Sequence, residues 1–195
     1  MTMPALPPTL EASLYRHPVI ASLYGTESLS RFLAGACPVG IIAKVALPDM
    51  ENLVSAVSAA GKFVFVNIDN CDGLAQDRGG VEYLRKIGTP GLITTRATLV
   101  QRANALGMVT MQKVFVTDRS NLPRSTNAVQ QSKPHLVQLM PWAVIPALAA
   151  ADLAELSPFV AAGFVKSQGD VVAALKAGAK AVSTSDFELW NTTRR

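Results

Sequence analysis

From His17 onward, short unbroken apolar runs alternate with longer amphipathic stretches. The runs are Pro18–Leu23, Gly40–Val45, Phe63–Ile68, Gly91–Thr94, Val109–Lys113, Leu136–Leu139, Phe159–Ala162 and Lys180–Val182. Most carry no apolar–polar alternation, which fits strands covered on both faces, as in a parallel sheet. Between them, Met50, Leu53, Val54 and Val57 share one face at helical spacing, as do Leu99, Ala103 and Leu106. Gly61, Gly88, Gly107 and Gly178 follow such stretches just before the next strand, where a helix C-cap belongs. The alternation predicts an α/β chain. A count of eight predicts one compact, TIM-barrel-like (β/α)₈ domain rather than an open doubly wound sheet.

The ends of the chain are less regular. Residues 1–17, with Pro4, Pro7 and Pro8, are expected to form a flexible arm ahead of a single domain over 18–195. Asp152 to Pro158 leaves room for only a shortened helix before the seventh strand. The 195 residues are few for a complete barrel, which typically needs about 250. Apolar residues make up 49%, which excludes a disordered chain. Charged residues, at 16%, fall below the usual ~25%, so a large core or a face buried in a homo-oligomer is expected. The net charge of +4 permits contact with nucleic acid without demanding it.

Cys37 and Cys71 form no CxxC pair and have no histidine at ligand spacing, so neither a zinc site nor a cofactor is expected. Met1 to Leu10 lacks the apolar core of a signal peptide. No apolar run approaches the ~18 residues of a membrane span. A cytoplasmic protein with no membrane partner is the expectation.

The densest chemical signal follows the last strand candidate, where Val182 runs into Ser183, Thr184 and Ser185. Ser185 with Glu188 three positions later reads as a capping box and predicts a helix starting at Ser185. Helix-start N–H groups, their dipole and clustered hydroxyls suit a phosphate. Barrels commonly hold one above the last two strands. Gly163, after the seventh strand, would let backbone approach such an anion. The plain alternative is a tight turn at Gly163 followed by an ordinary capped helix.

Other ligand groups should come from the C-terminal strand ends, which carry Asp69, Arg96, Lys113 and Asp118. Asp69 and Asp72 could hold Mg²⁺, but no third carboxylate joins them, and pairing of Asp69 with Arg96 or Lys113 is the preferred reading. Lys44, Lys113 and Lys166 are candidate imine-forming lysines, set against ordinary ion-pairing roles. His17 and His135 precede strands, on the stability face. No strand end offers a base of near-neutral pKa, which argues against an enzyme.

Several segments occur in one order: Asp69-(x)₃-Gly73-Leu74-(x)₂-Asp77, Gly91-Leu92-Ile93-Thr94-Thr95-Arg96, Gln112-Lys113-Val114-Phe115-(x)₂-Asp118, Ser132-Lys133-Pro134, Pro141-(x)₄-Pro146 and Ala181-Val182-Ser183-Thr184-Ser185-(x)₄-Trp190. From about Pro18 to Trp190 this resembles the glycerol-3-phosphate-responsive antiterminator family. The resemblance implies a (β/α)₈ regulator, not a catalyst. It would bind glycerol 3-phosphate, contact the leader of a glycerol-utilisation messenger RNA and let transcription pass a terminator. Asp69, Arg96 and Asp118 would line the ligand cup with Lys113, while Gly163, Ser183, Thr184 and Ser185 would hold the phosphate.

The chain departs from the family pattern at Asn67 (usually His), Lys113 (usually Arg), Gln138 (usually acidic), Trp142 (usually Gly) and Ala162 (a second Gly). Lysine lacks the two-pronged anion contact of arginine. The indole of Trp142 is expected to narrow the cup. Arg119, Arg124 and Lys133, around a helix over 119–132, are candidates for RNA phosphates or simply a solvated face, and the loop from Asp118 to Pro123 is the candidate moving element. The competing reading is a small barrel enzyme on a sugar or glycerol phosphate, using Asp69 or Asp118 as base or Lys113 as imine former.

Overall fold

The computed structural model describes residues 3–194. Its strands are β1 (Val19–Tyr24), β2 (Val39–Ala43), β3 (Phe63–Asn67), β4 (Gly91–Thr94), β5 (Val109–Phe115), β6 (Leu136–Met140), β7 (Phe159–Ala162) and β8 (Ala181–Thr184). All pair in parallel in chain order and β8 pairs with β1, so the sheet closes into a barrel. The helices are α1 (Pro8–Arg16), α2 (Leu29–Ala34), α3 (Leu47–Ala59), α4 (Arg78–Lys86), α5 (Ala97–Ala105), α6 (Leu122–Ser132), α7 (Ala150–Glu155) and α8 (Gln168–Lys176). Every strand candidate overlaps an observed strand, and α7 is short, as the spacing requires.

Strand side chains alternate between two cores, because successive residues point to opposite faces. Ala21, Leu23, Ile42, Val64, Val66 and Leu92 pack outward against the helices, where Met50, Leu53, Val54 and Val57 of α3 meet them. Ile20, Ile41, Phe65, Ile93, Met111, Leu136, Val160 and Ala181 fill the barrel interior. Both rows are apolar, which explains the continuous runs in the sequence.

Two expectations fail at the chain ends. Residues 8–16 of the expected arm are helix α1. Pro8 sits at the helix start, where its missing N–H costs nothing, and Leu10 and Leu14 are buried with Leu6 against the interior core. The helix therefore plugs the N-terminal end of the barrel; the prolines mark a helix start rather than a loose segment. After β8 there is no helix from Ser185. Phe187–Leu189 form a single 3₁₀ turn whose cap is Asp186, accepting the Glu188 N–H at 3.1 Å. A genuine reciprocal capping box occurs instead at Ser167 and Asp170, opening α8.

Candidate functional site

The interior row turns polar as it approaches the C-terminal end. Two residues beyond an interior apolar residue on the same strand stand Ser22 after Ile20, Asn67 after Phe65, Lys113 after Met111, Gln138 after Leu136 and Ser183 after Ala181. A step of two returns the side chain to the same face, so all five point into one space. They form the floor of a cup of ≈ 920 Å³ at the C-terminal mouth. Gly163, Lys166, Ser185 and Asp186 come in from the loops after β7 and β8. The volume suits a small metabolite with its water.

Lys113 is the electrostatic centre of the floor. Its ammonium donates to Asn67 Oδ1 at 2.9 Å and pairs with Asp69 at 2.7 Å, with only 7% and 11% of the two side chains exposed. Thr94 Oγ1 donates to Asp69 at 2.6 Å, and the Thr95 N–H donates at 2.8 Å. Burial pushes the Asp69 carboxyl upward. The bonds from Lys113, Thr94 and Thr95 outweigh that and hold it below the usual carboxylate range. Asp69 is thus a fixed anion behind Lys113 that holds its side chain in place on the floor. Of the partners considered for Asp69, the structure selects Lys113, from a strand two removed. Gln138, across the floor, donates to Ser183 Oγ at 2.9 Å. Neutral Gln138 leaves Lys113 without a second carboxylate beside it, which raises the floor's pull on an anion.

The predicted phosphate residues Ser183, Thr184 and Ser185 all line the cup with Gly163. The Thr184 hydroxyl is already committed, donating to the Val165 carbonyl at 2.8 Å and accepting the Asp186 N–H at 3.1 Å, so it ties the β7 and β8 loops together. Gly163 has φ +78° and Phe164 follows at +61°, so two consecutive residues are left-handed. For Phe164, with its side chain, that conformation costs about 1–2 kcal/mol. A Cβ on Gly163 would lie 3.5 Å from Pro141 Cα, so backbone conformation rather than space demands the glycine.

Arg96 and Asp118 do not join this group. The Arg96 guanidinium donates to the Gln76 carbonyl and side-chain oxygen, each at 2.8 Å, and so clamps the loop after β3 from outside the cup. Gln76 in turn donates to the Asp69 carbonyl at 2.8 Å. Asp118 is exposed and accepts the Ser120 N–H and hydroxyl, capping the turn before α6; those bonds hold its carboxyl below the usual range. The indole of Trp142 does not narrow the cup either: it donates to the Phe164 carbonyl at 3.3 Å, under the lip. Among the described residues no three His, Cys, Asp or Glu side chains cluster as metal ligands. His135, at the opposite end, accepts the Thr110 N–H at 3.1 Å, and burial keeps its ring pKa down.

Sequence reasoning overlooked Ser22 and Asn70 as cup residues and considered Lys166 only as an imine former or ion-pair partner. The signal was available for Ser22: a polar residue two positions past an interior apolar one. For Asn70 and Lys166 the position depends on loop path, which no periodicity reports.

An uncharacterized Escherichia coli (strain K12) protein, YgcP, is 24% identical over 183 residues, spanning 93% of this chain and 96% of that protein. The crystal structure of a glycerol uptake operon antiterminator regulatory protein from Listeria monocytogenes superposes with a TM-score of 0.83 at 23% identity, covering 88% of this chain and 94% of that one. A glycerol uptake operon antiterminator-related protein from Thermotoga maritima gives 0.80 at 24% identity, with 91% and 99% covered. At those identities the two structures establish the shared barrel. No helix among the described residues is long and apolar enough to cross a membrane. A family model described as glycerol-3-phosphate responsive antiterminator matches residues 19–190.

Proposed function

We propose that this chain, which belongs to the glycerol-3-phosphate responsive antiterminator family, is a cytoplasmic regulator that binds glycerol 3-phosphate in the C-terminal cup and, when loaded, engages leader RNA to let transcription continue. One observation carries the ligand reading: a buried, fixed ammonium at Lys113 and hydroxyls of Ser183 and Ser185 face the same cavity as the left-handed backbone at Gly163. The phosphate would lie against the β7 and β8 loops, where Lys166 adds a second cation. Ser22, Asn67 and Gln138 would read the glycerol hydroxyls, because each is a neutral group able to share hydrogen bonds. A sensor needs no general base, and the cup's one buried carboxylate partner, Asp69, is already committed to Lys113 and two threonines.

Switching requires that the ligand favour one conformation. Moving from mostly off to mostly on takes about 5.5 kcal/mol of differential affinity. The β7 and β8 loops, tied by Thr184, are the elements that an anion between them would draw together.

A thermal-shift titration with glycerol 3-phosphate, glycerol and inorganic phosphate tests the reading. A ligand at 100 times its Kd adds about 2.7 kcal/mol, or roughly 5–11 °C in a domain of this size. Glycerol 3-phosphate should give the largest shift, and Ser183→Asp should abolish it by placing a carboxylate at the phosphate. No shift with millimolar glycerol 3-phosphate would remove the ligand assignment.

A further inference from the structure

The lip of the cup carries an unusual concentration of exposed rings. Among the described residues six large hydrophobic side chains stand exposed, and four of them ring this one mouth: Tyr24 at 54%, Phe115 at 53%, Phe164 at 74% and Phe187 at 46%. Each comes from a different place on the rim: the ends of β1 and β5, and the loops after β7 and β8. Exposed aromatics gathered at one site mark an interaction surface rather than the scattered apolar residues of any protein exterior. Backbone conformation reinforces this. Phe164 and Lys44, both at the mouth, are two of only three non-glycine residues described with positive φ. Phe164 holds its ring in water at a cost that nothing in the core repays.

We infer that this aromatic lip is the RNA-contacting surface and that unpaired bases stack on its rings, closing over the ligand cup; the inference rests on the RNA-binding regulator reading given above. Three features favour single-stranded RNA over a protein partner. The rings stand apart around a polar cavity rather than merging into one apolar face, and no large aliphatic residue is exposed among them. Cations accompany them: the Arg31 guanidinium lies 3.8 Å from the Phe187 ring centroid, Lys44 lies 5.7 Å from that of Tyr24, and Lys166 is on the rim. Two acids near the rim are engaged as turn caps, half-buried Asp186 on the Glu188 N–H and exposed Asp118 on the Ser120 N–H and hydroxyl. Separated π-faces with interleaved cations are what a single strand requires, since bases stack on the rings while phosphates meet the charges. A duplex offers no free base face to such rings.

This placement couples the two ligands through one opening. Stacked bases cover the route by which the metabolite leaves, and a loaded cup orders the β7 and β8 loops that carry Phe164 and Phe187. Each partner then strengthens the other by the same factor.

The test begins with selection from a random-sequence single-stranded RNA pool on the full chain with millimolar glycerol 3-phosphate, and the enriched RNA becomes the probe. Phe115→Ala and Phe164→Ser should each weaken its binding about fivefold to a hundredfold. The melting shift with glycerol 3-phosphate should persist in Phe115→Ala, at the end of β5 and away from the loops proposed to hold the phosphate. Arg124→Ala/Lys133→Ala, on and just after α6, should bind the probe as well as the parent chain. The inference falls if the pool never enriches, if the ring variants bind unchanged, if loss follows the α6 pair instead, or if Phe164→Ser alters only self-association by sedimentation. Loss of the melting shift in the parent chain would instead refute the ligand reading, so the two failures are distinguishable.

Discussion

Replacing Asp69 with asparagine should destabilise the barrel more than replacing the lysine it pairs with. Lys113 and Asp69 lie 2.7 Å apart and are almost wholly out of water. At an effective dielectric of ~20 their gross attraction is about 6 kcal/mol, most of it consumed by desolvation. Asp69→Asn strands a buried ammonium with Asn67 as its remaining hydrogen-bond acceptor. Removing one partner of a buried pair costs about 3–5 kcal/mol, which corresponds to a drop of roughly 6–20 °C in Tm here. Lys113→Met leaves Asp69 with the Thr94 hydroxyl and the Thr95 N–H, so its loss should be nearer about 1.5–3 kcal/mol. Asp69→Asn/Lys113→Met removes both charges and should be more stable than Asp69→Asn alone. Equilibrium urea unfolding of the four proteins reads these differences, and double-mutant coupling isolates the pair. The reasoning is refuted if Asp69→Asn costs under about 1 kcal/mol, or if the double variant is the least stable of the set.

The depressed Asp69 carboxyl contributes stability that is whole above its unfolded pKa of about 3.9 and is lost as pH falls through the lower folded value. His135, also depressed, contributes stability that is whole above about 6.5 and declines below it, so the urea midpoint should fall between pH 7 and 5; a flat midpoint contradicts this. Gly80→Ala should cost about 3 kcal/mol in urea unfolding, at the upper end for overpacking, because its Cβ would lie 1.9 Å from the Ala75 carbonyl oxygen. Gly163→Ala should lose about 1–2 kcal/mol through its positive φ and weaken glycerol 3-phosphate binding, measured by calorimetry. Borohydride with carbonyl phosphates should leave Lys113 unmodified by mass spectrometry, since its ammonium is held by Asp69; a trapped adduct would restore the enzyme reading.

Local pattern alone determined the barrel. Continuous apolar runs with glycines such as Gly61 and Gly178 before the next strand can satisfy two covered faces only in a parallel sheet, and both glycines are left-handed as that role requires. Strand alternation also contained more of the cup than motif reading extracted, since Ser22, like Gln138 and Ser183, follows an interior apolar residue at a step of two. Tertiary structure decided the rest. Whether Asp69 would meet Lys113 or Arg96 depended on which strand-end side chains point inward, and Arg96, beyond the end of β4, turns out to the Gln76 loop. Ser185 and Glu188 have capping-box spacing, yet Asp186 takes the cap and the segment turns only once. The proline-bearing start became a helix because the open end of the barrel offered Leu6, Leu10 and Leu14 a surface to bury. Periodicity records which face a residue occupies, while partners and loop paths depend on segments far apart in the chain meeting only when the barrel closes.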